Sequence, residues 1–193
     1  VREILNEICE YFKYKEKNFV VFTENDVRIE GWFKGELLML FKEMKDNNRI
    51  KNFDREVSRF SDGKRFQVDF SITTNDDVER FIEIKSLSIG QKKKTPRNLS
   101  FYFRDDNLGV INDLKKFKQL KNCQEKYIML FVYPNPKIDK WQKMIKKLKE
   151  FEELKEFEEL KELKLDIITD INDFNDNYYI AFMKVQFENK GER

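Results

Sequence analysis

Three features of the sequence predict an α/β fold. The stretches Arg65–Ile72 and Arg80–Lys85 alternate apolar with polar residues on either side of a turn-rich Thr74-Asn75-Asp76-Asp77, as neighbouring half-buried strands do. Ahead of them Phe33, Leu37, Leu40, Phe41 and Met44 recur at helical spacing. Lys126–Tyr133 is an almost unbroken apolar run closed by Pro134-Asn135-Pro136, the pattern of a strand covered on both faces.

Taken in chain order, residues 2–14 form an amphipathic helix with Ile4, Ile8, Tyr11 and Phe12 on one side. Asn18–Thr23 reads as a short strand or an extended link. Residues 31–44 form the second helix, ended by Asp46-Asn47-Asn48. Residues 53–60 are the first strand, and Ser61-Asp62-Gly63-Lys64 is a tight turn in which Asp-Gly supplies the positive φ of a hairpin. Strands at 66–72 and 80–86 complete a three-strand meander.

A basic loop, Lys92-Lys93-Lys94-Thr95-Pro96-Arg97, comes next, then a short strand at 100–103 and a helix at about 107–122. That helix turns Leu108, Ile111, Leu114, Phe117 and Leu120 inward. Beyond the buried strand, residues 138–165 read as a charged helical extension holding a direct repeat, Glu-Phe-Glu-Glu-Leu-Lys at 150–155 and 156–161. Its apolar positions recur every three residues and drift around a straight helix, which disfavours a continuous coiled coil. The run 178–187 is expected as an edge strand.

Composition narrows the chemistry. The 193 residues suit one domain, 40% of them are hydrophobic, and nineteen are Phe, so a large aromatic core is expected. No histidine is present, which removes Ser-His-Asp and Cys-His mechanisms and His-ligated zinc. Cys9 and Cys123 have no metal-ligand spacing and give no disulfide framework. No stretch approaches a membrane span or a signal peptide, so a cytoplasmic protein without membrane contact is expected. Catalysis, if present, falls to carboxylates and lysines.

The residues best placed for it lie on the second hairpin. With Asn75-Asp76-Asp77 as its loop, Asp69 falls directly across from Glu83, with Cβ atoms roughly 5 Å apart. Alternation puts Lys85 on the same face as Glu83, while Ile82 and Ile84 point to the other. Two carboxylates so placed repel each other unless a cation lies between them, and magnesium takes one or two protein carboxylates together with water and phosphate oxygens. On a chain this rich in charge, the bland alternative is an exposed strand face with an ordinary Glu-Lys pair.

Asp69 followed by Glu83-Ile84-Lys85, within the order helix, three strands, helix, strand, resembles the PD-(D/E)XK nuclease superfamily, which includes restriction endonucleases and archaeal Holliday-junction resolvases. Val68 stands where the family commonly has proline. The resemblance implies a restriction endonuclease-like αβββαβ core at about 31–134. A mixed central sheet would be flanked by helices, and a C-terminal helical extension and last strand would follow at about 137–188, all in one domain. It implies a metal-dependent DNA endonuclease that hydrolyses phosphodiester bonds. Asp69, Glu83 and the Ile84 carbonyl would hold Mg²⁺, or Mn²⁺ in its place, and Lys85 would position or help deprotonate the attacking water.

Glu36, on the shoulder of the 33–44 stripe about 85° from its centre, would join that site as the helix glutamate does in many of these enzymes; Glu43 lies on the same shoulder. Lys92, Lys93, Lys94 and Arg97 would meet DNA phosphates. Lys137, Lys140, Lys143 and Lys147 read as a solvated face. A restriction-type enzyme, with the possible homodimer that cutting both strands favours, leads the alternatives: a junction resolvase or other structure-specific nuclease, and a non-catalytic nucleic-acid-binding domain with a nuclease-like fold.

Overall fold

A computed structural model describes residues 2–25, 27, 29–89, 98–103, 109–120, 125–150, 163–167 and 178–187. The basic residues Lys92, Lys93, Lys94 and Arg97 and nearly all of the 150–161 repeat lie outside them. The elements are α1 (Arg2–Lys13), α2 (Glu16–Asn25), α3 (Glu30–Asp46), β1 (Asn52–Ser61), β2 (Lys64–Thr73) and β3 (Glu79–Ser88). A short 3-10 helix (Leu99–Phe103), α4 (Val110–Gln119), β4 (Glu125–Tyr133), α5 (Ile138–Glu150), β5 (Leu163–Ile167) and β6 (Tyr179–Phe187) follow.

The described strands form one mixed six-stranded sheet in the order β1-β2-β3-β4-β6-β5. β1, β2 and β3 are an antiparallel meander, β4 runs parallel to β3, and β6 is antiparallel to both β4 and β5. A parallel neighbour needs a crossover, and α4 lies in the one between β3 and β4. Side chains of α1, α2 and α3 cover one face of the sheet; those of the 3-10 helix, α4 and α5 cover the other.

The first core is aromatic, as the composition predicts. Phe33 on α3 stacks on Phe131 of β4 with ring centroids 3.5 Å apart, and Phe12 of α1 meets the same ring edge-on at 4.9 Å. Burying rings of this size supplies much of the apolar area that holds three helices to one sheet face. On the second face Trp141 of α5 packs edge-on against Tyr179 at 4.8 Å, while Lys137, Lys140 and Lys143 of the same segment stay exposed.

Four expectations change. Asn18–Thr23 lies within helix α2, because Phe19 enters the first core and stacks on Tyr178 at 4.1 Å, a tertiary contact that outweighs the strand preference of Val20 and Val21. Residues 100–103 are a 3-10 turn that inserts Tyr102 and Phe103 into the second core. The helical extension stops short, since 163–165 lie in β5. β6 is interior: its odd residues from Tyr179 to Val185 enter one core and Ile180 and Phe182 the other, so both faces are covered and β5 becomes the edge.

The β1–β2 ribbon does not lie flat in this sheet. Phe70 and Ile72 of β2 belong to the core under α1–α3, yet Val68, two residues earlier, belongs to the core under α4 and α5. Residues two apart on an unbroken strand share a face. β1 changes face in the same place, with Phe53 against the first core and Val57 in the second. The change falls between the pairs Arg55–Phe70 and Val57–Val68, where Glu56 takes a left-handed φ of 51° opposite Asp69. The ribbon therefore rolls over at Glu56 and Asp69.

Candidate functional site

The hairpin of β2 and β3 has the expected register. Phe70 pairs with Ile82, Ser71 with Phe81, Ile72 with Arg80 and Thr73 with Glu79, and one further step would oppose Asp69 to Glu83. The ladder stops one step short of that pair. There β2 turns away with the rolling ribbon, and the Asp69 side chain replaces the backbone: its Oδ2 accepts a 2.9 Å hydrogen bond from the Ile84 N–H. A carboxylate is thus inserted where the two strands part.

Each of the two acids receives a lysine. Lys34 Nζ of α3 lies 2.7 Å from Asp69 Oδ1 and 3.0 Å from Glu30 Oε1, while Lys116 Nζ of α4 lies 2.5 Å from Glu83 Oε2. Lys116 also donates to the Gln67 carbonyl at 3.0 Å. Because Asp69 stands where β2 changes face, α3 reaches it from one side of the sheet and α4 reaches Glu83 from the other.

Lys85 shares the face of Glu83, as alternation requires, but its nearest acid is Asp113 of α4, with Nζ 3.4 Å from Oδ2. Asp113 is itself buried among Val110, Leu114 and Phe117. Glu30 completes the group by accepting a 3.4 Å bond from the Ser86 N–H through Oε2. Asp69, Glu83, Lys85, Glu30, Lys34, Asp113 and Lys116 form one continuous ionic cluster.

Glu36 is not brought to this cluster. Lys34 and Glu36 stand about 160° apart around α3, on opposite shoulders of its apolar stripe. The Lys34 shoulder faces Asp69; the Glu36 shoulder faces α1, where Glu36 Oε2 accepts from the Tyr11 hydroxyl at 2.7 Å and pairs with Lys15 at 2.8 Å. Burial disfavours its charge, but those partners outweigh burial and hold the carboxyl below its ordinary value.

Glu30, Lys34, Asp113 and Lys116 are the members that sequence reasoning missed. A signal existed for two of them. Glu30 lies about 35° from the centre of the α3 apolar stripe, nearer than Glu36, and Asp113 is a lone acid inside the apolar arc of α4. Lys34 and Lys116 lie off those arcs and carry no such mark.

The electrostatics follow from burial. Burial, then the neighbouring Asp69 charge, raise Glu83 to about 7 against the pull of Lys116. Asp113 is also raised, by burial first, although Lys85 and Lys116 oppose it. For Lys85 burial favours the neutral amine, yet Asp113, Glu30 and Glu83 together outweigh it and its value goes up. Lys34 behaves likewise beside Asp69 and Glu30.

Glu83 can therefore exchange a proton near neutrality, whereas Lys85 stays an ammonium suited to stabilising negative charge rather than to accepting a proton. Asp69 and Glu83, with the Ile84 carbonyl, offer a hard cation two carboxylates and one neutral oxygen. Among the described residues no three acidic or cysteine side chains gather to hold a metal ion unaided.

Fold and site together define a mixed α/β protein with a paired-carboxylate, lysine-rich cluster at a sheet opening. No family model, curated protein or solved structure matches the chain. No helix among the described residues is long and apolar enough to cross a membrane.

Proposed function

We propose that the chain is a metal-dependent DNA endonuclease of the PD-(D/E)XK kind, restriction-type in its use of duplex substrate. The observation that carries this reading is the insertion of the Asp69 carboxylate beside Glu83, at the point where β2 parts from β3, with Lys85 following on the same strand. The meander followed by a parallel β4 supports it, since this is the element order the resemblance implies.

The donor set suits Mg²⁺, which takes few protein carboxylates and fills its remaining positions with water and phosphate oxygens. Asp69, Glu83 and the Ile84 carbonyl would hold it, and the ion would supply an activated water and charge neutralisation at phosphorus. The chain's own part is positional. Asp69 is fixed by the Ile84 N–H, and Lys85 is fixed by Asp113 as a permanent cation facing the charge that builds on phosphate oxygens. Lys34 and Lys116 neutralise the acids and leave them when phosphate brings its own charge.

The ammonium groups already seated on both acids favour a second reading, a non-catalytic nucleic-acid-binding domain with a nuclease-like fold. Incubation of linear duplex and four-way-junction DNA with and without Mg²⁺ tests both. The nuclease reading expects Mg²⁺-dependent cleavage by the wild type and none by Asp69→Ala; cleavage by Asp69→Ala at the wild-type rate would sink it. Preferential cutting of the junction assigns the chain to the resolvase alternative. DNA binding without cleavage at any metal concentration assigns it to the binding module.

A further inference from the structure

β3 pairs with β2 only from Phe70 onward, so among the described residues Lys64–Asp69 has β1 as its single strand partner. This two-stranded ribbon runs roughly 20 Å from its root at Glu56 and Asp69 to the turn at Asp62-Gly63. Its inward face lies on the second core through Val57, Phe66 and Val68, and Arg59 covers the Phe81 ring at 5.0 Å and pairs with Glu79 at 2.5 Å. The ribbon is a braced projection.

The outward face carries Ser58, Phe60, Arg65 and Gln67, with Lys64 beside the turn. Phe60 is 72% exposed and stands directly opposite Arg65. The Arg65 guanidinium is laid across this face by two bonds to the Ser58 hydroxyl, from Nε at 3.0 Å and from a terminal nitrogen at 2.8 Å. Arg and Gln are the side chains that make paired hydrogen bonds to guanine and adenine edges, and a bare hydroxyl is a tether that a base or phosphate readily replaces. Asp62 at the turn and Glu56 and Asp69 at the root are the acids of the ribbon.

We propose that the outward face of the β1–β2 ribbon, Phe60, Arg65 and Gln67 with Lys64 at its tip, enters the major groove of B-form DNA and delivers a flanking phosphodiester to the Asp69–Glu83 site. The inference rests on the endonuclease reading for the fate of that phosphodiester. Two dimensions agree with it: a two-stranded ribbon is an element the groove admits, and the four residues from Arg65 to Asp69 span about 13 Å, close to the groove's width of about 12 Å. Arg65 on the groove floor thus sets Asp69 at the backbone that borders the groove. The link is physical as well, because the Gln67 carbonyl accepts from Lys116, the same ammonium that pairs with Glu83. A-form RNA has a deep, narrow major groove that such a ribbon does not enter, so the ribbon selects DNA.

The test uses the full chain in EDTA, where cleavage cannot occur, and follows fluorescence anisotropy with a labelled DNA duplex and an RNA duplex of the same sequence at several salt concentrations. The wild type is expected to prefer the DNA duplex. Arg65→Ala with Gln67→Ala is expected to weaken DNA binding roughly tenfold or more and RNA binding less than about twofold. Lys64→Ala is expected to lower the salt slope by about one phosphate's worth. The substituted side chains are exposed, and an unchanged thermal melt checks that the variants fold.

Unchanged DNA affinity in Arg65→Ala/Gln67→Ala overturns the proposal, as does an equal loss on DNA and RNA. A shift in oligomeric state with unchanged DNA affinity also overturns it and assigns the face to a second copy of the chain. Cleavage assayed separately with Mg²⁺ keeps the two ideas apart. Ribbon variants that lose DNA binding beside a wild type that does not cut leave this inference standing and remove the nuclease reading; a wild type that cuts beside ribbon variants that bind and cut normally does the reverse.

Discussion

The Asp69 carboxylate accepts a 2.9 Å hydrogen bond from the backbone N–H of Ile84, the residue between Glu83 and Lys85. A side chain thereby takes the place of a ladder bond between β2 and β3. The bond fixes one acid against the strand that carries the other, and the consequences can be measured.

Asp69→Asn retains an oxygen for the Ile84 N–H but removes the charge that raises Glu83. The Glu83 carboxyl is then expected to fall below about 7, followed by carboxyl-carbon NMR during a pH titration. It should remain above the ordinary glutamate value of 4.5, because burial is the larger cause and survives the substitution. A return to the ordinary value would show that charge, not burial, sets it.

Stability should depend on the same proton. Glu83 has a folded-state value of about 7 against 4.5 unfolded, so the native state binds more protons between those limits and stability falls as pH rises through them. The loss is on the order of 3 kcal/mol for a shift of this size. Asp113 is shifted in the same direction and adds to the slope. Chemical denaturation from pH 4 to 8 should show the decline in the wild type and a flatter profile in Glu83→Gln.

Lys116→Met removes the ammonium 2.5 Å from Glu83 and leaves a buried carboxylate without its cation. The cost is expected to be about 1–3 kcal/mol at pH 8, where Glu83 is ionised, and much smaller at pH 5, where it is protonated. Equal destabilisation at both pH values would show that the methionine acts through packing instead.

At the root of the ribbon, Glu56 holds a φ of 51°, and its exposed side chain pairs with neighbouring Arg55 at 2.6 Å. Glycine adopts that conformation without a Cβ penalty, so Glu56→Gly should stabilise the protein by about 0.5–1 kcal/mol in urea denaturation. Glu56→Val, with a branched side chain in the same backbone region, should destabilise it. The opposite order would mean that the ribbon does not roll over at this residue.

The aromatic layer gives a prediction independent of the ionic cluster. Phe33→Ala removes a ring stacked 3.5 Å from Phe131 and should cost about 3–5 kcal/mol by denaturation. Phe33→Leu, which keeps most of the apolar volume, should cost less.

The meander, its turns and the register of the β2–β3 hairpin are all readable in the chain. Side-chain alternation, the Asp62-Gly63 turn and the loop centred on Asp76 act over a few residues, and a register follows from counting outward from a turn. The aromatic core and the buried β4 are equally plain, since a covered strand must be apolar on both faces. β6 carried the same mark, an unbroken apolar stretch from Tyr178 to Met183, which is the pattern of an interior strand rather than an edge.

What the linear order did not contain is which acid receives which lysine. Glu30 and Lys34 rather than Glu36 reach the Asp69 side because of how α3 is rotated about its axis against the sheet, and that rotation is set by packing against α1 and β4. Asp113 and Lys116 reach β3 only because the crossover returns α4 over the second face. The roll of the ribbon at Glu56 and Asp69 depends on a left-handed residue that no local preference of glutamate announces. Local periodicity therefore determined the elements and the hairpin register that brings the two acids near each other. The tertiary structure alone decided their charge partners, because ion pairs across a sheet depend on distances between segments far apart in sequence.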